Sequence, residues 1–173
     1  PETFRITLGE GNTPLIRSAR IGPSLGMENL YFKIEASNPT GSYKDRFASC
    51  AVSHLLKNEA PLCLGTSSGN TGAALAAYAA LAGLRCVLAI VDTAPEDKLR
   101  QMLAYGAELV RIRGFGTDAR ITSKIAQGLL ALAGELGTEV QISAYKYSAD
   151  GMEGVKTIAW ELAEQMPAGI DHV

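Results

Sequence analysis

The sequence predicts an α/β protein built on a doubly wound, mostly parallel sheet. Two observations point there. Strand-length apolar runs alternate with helix-length amphipathic stretches from residue 30 to residue 166, the pattern of βαβ units. One run, "RCVLAIV" (85–91), is apolar without alternation, as a strand buried on both faces should be.

Taken in order, "LYFKIE" (30–35) reads as a strand, followed by the turn residues of "NPTGS" (38–42) and a helix over about 43–58. "LCLGT" (62–66) is the next strand, then a turn of small polar residues and an alanine-rich helix over about 71–82. After the strand at 85–91, Thr93 with Glu96 predicts a capping box, Pro95 suits the first helical turn, and Gly106 suits the end. "AELVRI" (107–112) is a strand, and a helix over about 118–136 sets Ile121, Ile125, Leu129, Leu132 and Leu136 on one side. "TEVQIS" (138–143) is a further strand. One helix over about 152–166 aligns Val155, Ile158, Ala159, Leu162 and Met166, with Trp160 off that line as a partly buried packing residue. "GIDHV" (169–173) has the look of a strand opening, so the series reads as a piece of something longer. The expected division is a small α/β domain over 36–147, with 1–35 and 148–173 as parts of an incomplete larger domain.

Composition narrows the function. An apolar content of 47% and a net charge of −2 describe a globular chain, and the scattered basic residues leave no footprint for nucleic acid or a membrane surface. The longest apolar run, 73–84, is too short to span a bilayer. The N-terminus lacks the basic start and apolar core of a signal peptide. Three cysteines (Cys50, Cys63, Cys86), odd in number and in apolar contexts, fit reduced core residues of a cytoplasmic protein. With two histidines, His54 and His172, no metal site is expected.

Two stretches carry chemistry. Lys44 falls in the first turn of its predicted helix, where the backbone dipole disfavours an ammonium and favours the neutral, nucleophilic amine. Asp45 follows it, but adjacent helical residues point apart, so Asp45 need not neutralise Lys44. Taken alone, Lys44 also reads as an ordinary exposed lysine. The second stretch, "GTSSGNTGAAL" (65–75), lies between a strand and a helix. Ser67, Ser68, Asn70 and Thr71 supply donors, Gly69 lets the backbone come close, and the helix start behind them favours a small carboxylate. It lacks the Gly-Lys-Ser/Thr ending of a P-loop, and an ordinary cap and turn is the plainer reading.

Together, "NPTGSYKDR" (38–46) and "SSGNTG" (67–72) resemble the cofactor-lysine segment and asparagine loop of the fold-type II pyridoxal-phosphate enzymes. "LGEGNTPL" (8–15), "QMLAYGAELV" (101–110) and "EGVKTIAWEL" (153–162) are most similar to the threonine synthase branch of that family. The resemblance covers the whole chain but only about the first half of such an enzyme. It implies pyridoxal 5'-phosphate bound covalently by Lys44, which also shuttles protons at the substrate's α and β carbons. It implies Asn70 on the phenolic oxygen of the cofactor, and Ser67, Ser68, Gly69 and Thr71 on the carboxylate of an amino-acid substrate. The implied reaction is loss of phosphate from O-phosphohomoserine with addition of water, in a full-length homodimer. The family's glycine-rich phosphate loop and its partner to the pyridine nitrogen are not found, so these residues alone are expected to bind cofactor weakly and turn over no substrate.

Other readings compete. A threonine or serine dehydratase, a β-replacing relative and a non-catalytic scaffold share the same motifs. "RGFGTDA" (113–119) also carries Gly114-x-Gly116-x-x-Ala119, a dinucleotide fingerprint with Glu135 or Glu139 placed for a ribose. The plainer reading is a turn, with Asp118 capping the next helix. Tyr43 either flanks the cofactor or packs, and Arg46 is expected to be solvated rather than to meet a phosphate.

Overall fold

The computed structural model describes residues 4–67 and 69–173. Near the N-terminus, β1 (Leu15–Arg17) and β2 (Tyr31–Lys33) pair antiparallel as a ribbon, with the short α1 (Ile21–Ser24) between them. The main body runs α2 (Lys44–Lys57), β3 (Cys63–Thr66), α3 (Asn70–Leu81), β4 (Cys86–Val91), α4 (Glu96–Ala104), β5 (Glu108–Ile112), α5 (Ala119–Leu136) and β6 (Val140–Gln141). Two further helices follow, α6 (Ala149–Val155) and α7 (Thr157–Gln165). The four main strands form one parallel sheet in the order β5-β4-β3-β6. The doubly wound parallel fold expected from the alternation is present.

Strand order fixes where a ligand can go. From β3 the chain steps outward to β4 and β5, then crosses back to lay β6 against the other side of β3. The larger core packs β3 and β4 against α2, α3 and α4, and a smaller one around Leu62, Leu64, Ala133 and Val140 packs the opposite face against α5. The winding therefore reverses between β3 and β6, and the carboxyl ends of those two strands flank a crevice.

The helices hold together through small residues. In α3 every residue from Thr71 to Ala79 is buried, so it packs closely on several sides at once. Helix α6 crosses α2 at two glycines: a Cβ on Gly151 would lie 2.5 Å from Phe47 Cε2, and one on Gly154 would collide with the Arg46 carbonyl. No side chain fits between these backbones.

Several expectations are corrected. Arg46 is not solvated: its side chain is 2% exposed and pairs with Glu35 and Glu161. Nη1 also donates to Thr157 Oγ1 at 2.8 Å, and Lys33 joins Glu161 at 2.6 Å. Partners 11 and 115 residues away cannot be read from a local pattern. The helix expected at 152–166 is two helices, broken at Lys156. The Thr157 hydroxyl donates to the Gly154 carbonyl at 2.8 Å, competing with the backbone there. Trp160 is 63% exposed, since no residue of α7 is buried. The Thr93–Glu96 capping box does not form: Pro95 is itself the N-cap, in extended conformation, because the residue before a proline is kept out of the helix. In α5 only Ala133 is fully buried, while Ile121, Leu132 and Leu136 stay more than a third exposed. The two-residue β6 offers too little sheet to cover that stripe. Residues 169–173 form no strand.

The turn at Gly114 and Gly116 is the plainer of its two readings. Both glycines have positive φ, and Asp118 Oδ1 accepts from Arg120 N and Ile121 N at 2.8 and 3.0 Å. The first N–H groups of α5 are thus already used. Glu139 faces His54 at 3.3 Å. The cysteines are free, Cys63 and Cys86 buried in register on adjacent strands. Among the described residues no helix is long and apolar enough to cross a membrane, and no cluster of three His, Cys, Asp or Glu side chains is placed to hold a metal.

Gly154→Ala is expected to lower stability by about 3 kcal/mol, read as a shift in urea midpoint. The ion cluster also sets an acid limit. Burial pushes the Glu35 carboxyl up, but Arg46, Thr13 and Asn38 outweigh it and hold it below the ordinary range. Arg46, then Lys33, hold Glu161 far lower still. Carboxylates lowered in the folded state contribute stability above their unfolded value of about 4.3, which is lost as pH falls below it. The stability advantage of wild type over Glu161→Gln, followed by denaturant titration, is therefore expected to be largest at neutral pH and to shrink steadily below about pH 4.

Candidate functional site

Lys44 opens α2, and the turn before it is built to hold that position. Gly41 has φ +86, a conformation that favours glycine. The buried Asn38 accepts from Gly11 N at 2.9 Å and donates to both the carbonyl and the carboxylate of Glu35, each at 2.8 Å. Asp45, fully buried, takes the Thr40 N–H and hydroxyl at 2.9 and 2.7 Å. Burial pushes its carboxyl up despite those bonds. Asp45 thus braces the turn and faces away from the lysine beside it.

The Lys44 side chain runs into the crevice between β3 and β6. Its Nζ donates to Ser143 Oγ at 2.9 Å and sits 4.3 Å from the centroid of the half-exposed Tyr43 ring. Ser143 lies just beyond β6, and its hydroxyl is 3.1 Å from Thr71 Oγ1 in the first turn of α3. One chain of hydrogen bonds therefore joins the starts of α2 and α3 across the crevice.

The loop from β3 to α3 supplies the rest. Gly69 is the N-cap and has no side chain to cover the free N–H groups behind it. A Cβ there would meet nothing within 4 Å, so the loop borders open space. One on Gly72 would meet the Ser67 carbonyl at 2.6 Å and Met102 Cε at 2.8 Å, which is how closely the loop folds onto its helix. Ser67 Oγ accepts from Gly69 N at 3.2 Å. Asn70 is exposed, and its Oδ1 accepts from Lys98 Nζ of α4 at 2.8 Å.

Of the residues expected in a site, Lys44 and Thr71 are brought together, through Ser143. Ser67, Gly69 and Asn70 line the same loop, with Asn70 turned toward Lys98. Ser68 lies outside the described residues. Sequence reasoning missed Ser143 and Lys98. Ser143 is legible only after the strand order is known, as a hydroxyl at the carboxyl end of the strand beside β3.

Comparison with known proteins identifies the family. Residues 6–173 match the family described as pyridoxal-phosphate dependent enzyme. The chain belongs to that family. It is 38% identical to threonine synthase of Bacillus sp. (strain ULM1), over 95% of this chain and 44% of that protein. It is 37% identical to the 2-amino-4-ketopentanoate thiolase beta subunit of an unknown prokaryotic organism, over 94% of this chain and 36% of that one. Among solved structures, a pyridoxal 5'-phosphate-dependent aspartate racemase has TM-score 0.72 and 32% identity, covering 90% of this chain and 46% of its own. Maize serine racemase has TM-score 0.75 and 26% identity, over 90% and 45%. The chain spans less than half the length of each of these proteins.

Asp45→Ala removes both acceptors that face Thr40 and leaves its N–H and hydroxyl without them. It is expected to cost about 2 kcal/mol of stability in denaturant unfolding, as a buried group left unpaired does.

Proposed function

We propose that this chain carries the lysine-bearing part of a pyridoxal-phosphate-dependent lyase that acts on an amino acid. The finer reading is threonine synthase, converting O-phosphohomoserine to threonine by loss of phosphate from the γ carbon and addition of water at the β carbon. The observation that carries it is the Lys44 amine held by Ser143 beside the first turn of α3. Relatives named threonine synthase at 34–45% identity support the choice of reaction.

The residues present fit the cofactor. A half-buried primary amine, hydroxyls and unpartnered helix N–H groups converge on open space at the point where the winding reverses. Pyridoxal 5'-phosphate, when bound, supplies an electron sink for charge developing beside the amino group. Lys44 would hold it covalently, and the same amine would take and return protons at the substrate's α and β carbons. Asn70 would bond the phenolic oxygen. Lysine is donor-only, so Lys98 fixes the Asn70 oxygen and leaves the amide hydrogens for that task. Ser67, Ser68, Gly69 and Thr71 would seat the carboxylate against the start of α3.

A second reading, β-elimination or racemisation of a small hydroxy or acidic amino acid, is favoured by the likeness to the two racemases. Phosphate release from O-phosphohomoserine, against 2-oxoacid formation or inversion of serine or aspartate, separates them in any longer polypeptide carrying these residues.

Incubation of the 173-residue chain with excess pyridoxal phosphate, then borohydride and peptide mass spectrometry, is expected to place one dominant pyridoxyl group on Lys44. Lys44→Ala should abolish it. Labelling spread evenly over exposed lysines such as Lys57 and Lys146 overturns the proposal.

A further inference from the structure

Ser143 holds the Lys44 amine but has no chemical task in the assignment above, and it touches both Lys44 and Thr71. We propose that Ser143 is a positioning residue that aims the Lys44 amine and couples its protonation to the donor that Thr71 offers a ligand. This rests on Lys44 and Thr71 serving the site just described.

Donor and acceptor accounting carries the inference. A hydroxyl has one hydrogen to give and two lone pairs. A charged lysine can only donate, so Ser143 Oγ accepts from Lys44 Nζ at 2.9 Å. The Ser143 hydrogen is then free for Thr71 Oγ1 at 3.1 Å, a contact in which either hydroxyl can donate, and with Ser143 as donor the Thr71 hydrogen is left to point outward at an anion. When Lys44 is neutral its lone pair can accept the Ser143 hydrogen. Ser143 then accepts from Thr71, whose hydrogen turns inward. No proton changes owner; two O–H bonds rotate. A carboxylate at the start of α3 would thus meet a hydroxyl donor when Lys44 carries its proton and lose it when Lys44 does not.

The placement of the three residues supports a built relay over a chance contact. Thr71 is 7% exposed, and Ser143 and Lys44 are half-buried, so water competes weakly. Each residue comes from a different element: the starts of α2 and α3, and the segment just after β6. Parallel pairing of β3 with β6 fixes two of the three relative to each other.

Two reagents test the relay on the 173-residue chain. Trace acetic anhydride reports how freely the Lys44 amine reacts with any small electrophile. Pyridoxal phosphate with borohydride reports how well that amine is aimed. Ser143→Ala is expected to speed acetylation of Lys44 several-fold, because the nitrogen is released, while slowing pyridoxyl trapping several-fold, because its aim is lost. Ser143→Thr should restore both to within about twofold of wild type. Thr71→Val should move both in the same directions as Ser143→Ala, and the double variant should add nothing to Ser143→Ala alone, as for members of one network.

A structural defect would speed acetylation at other half-buried lysines such as Lys33 as well, and that result overturns the proposal. So do unchanged Lys44 rates, or independent, additive effects of the two substitutions. Failure of the wild type to trap pyridoxal phosphate at Lys44 sinks the parent reading instead. The acetylation series uses no cofactor and still decides the relay. Should Ser143→Ala not fold, Ser143→Cys, which keeps the volume and weakens the bond, is expected to give the same changes at smaller size.

Discussion

Arg46 sets the rotation of α2, and with it the direction in which Lys44 points. The two residues are two apart, so on a helix they face roughly opposite sides. Arg46 is clamped by Glu35 before the helix and Glu161 from α7, with Thr157 taking the remaining donor and Thr13 sharing Nη2 at 3.3 Å. Burial disfavours its charge, but Glu161 and Glu35 outweigh that and hold it charged. A guanidinium committed on one face leaves Lys44 no choice but the crevice. Such a cluster is weak support for stability as such, but removing one partner strands a buried charge. It is a device for orientation.

The N-terminal segment belongs to the same device. Glu10 accepts from Thr7, Leu8 and the buried Tyr78, the last at 2.6 Å. Burial pushes its carboxyl up, but Ser49, then Tyr78 and nearby backbone N–H groups, outweigh it and keep it low. Ile6 is tied at N–H and carbonyl to Ser53 and Ser49 on α2, and Asn12 N reaches Glu161 at 2.7 Å. A strand-free strap thus lies along α2 and fastens it to α3 and α7. A cleft of about 720 Å³ between the strap, α2 and α6 is lined by Arg46, Glu10 and Glu161 but does not include Lys44. Lys44, Ser143 and Thr71 converge instead in the crevice at the strand ends.

Sheet winding and glycine packing then make the crevice useful. A parallel sheet sends every strand's carboxyl end the same way, so a reversal in strand order leaves two such ends without a connection across them. Gly65, whose Cβ would crowd the Gln141 carbonyl at 3.0 Å, lets β3 and β6 come together, and Gly72 lets the loop bed down on Met102. Ser143 and Thr71 reach bonding distance because the backbones beneath them do.

The sequence by itself determined the alternation of strands and helices, the buried α3, the turn that ends at Lys44 and the loop that starts at Ser67. These are set by local periodicity, glycine conformation and cap chemistry, all within a few residues. It also carried the pairing of two motifs, from which the family was legible. Tertiary structure alone decided that Arg46 is buried, that Ser143 bridges Lys44 to Thr71, that Lys98 meets Asn70, and that the final helix breaks at Lys156. Each depends on a partner outside its local sequence neighbourhood or on a competing bond, and hydrophobic pattern is silent about both. A hydroxyl after a strand or an arginine on a helix has no fate of its own until the fold has chosen its neighbours.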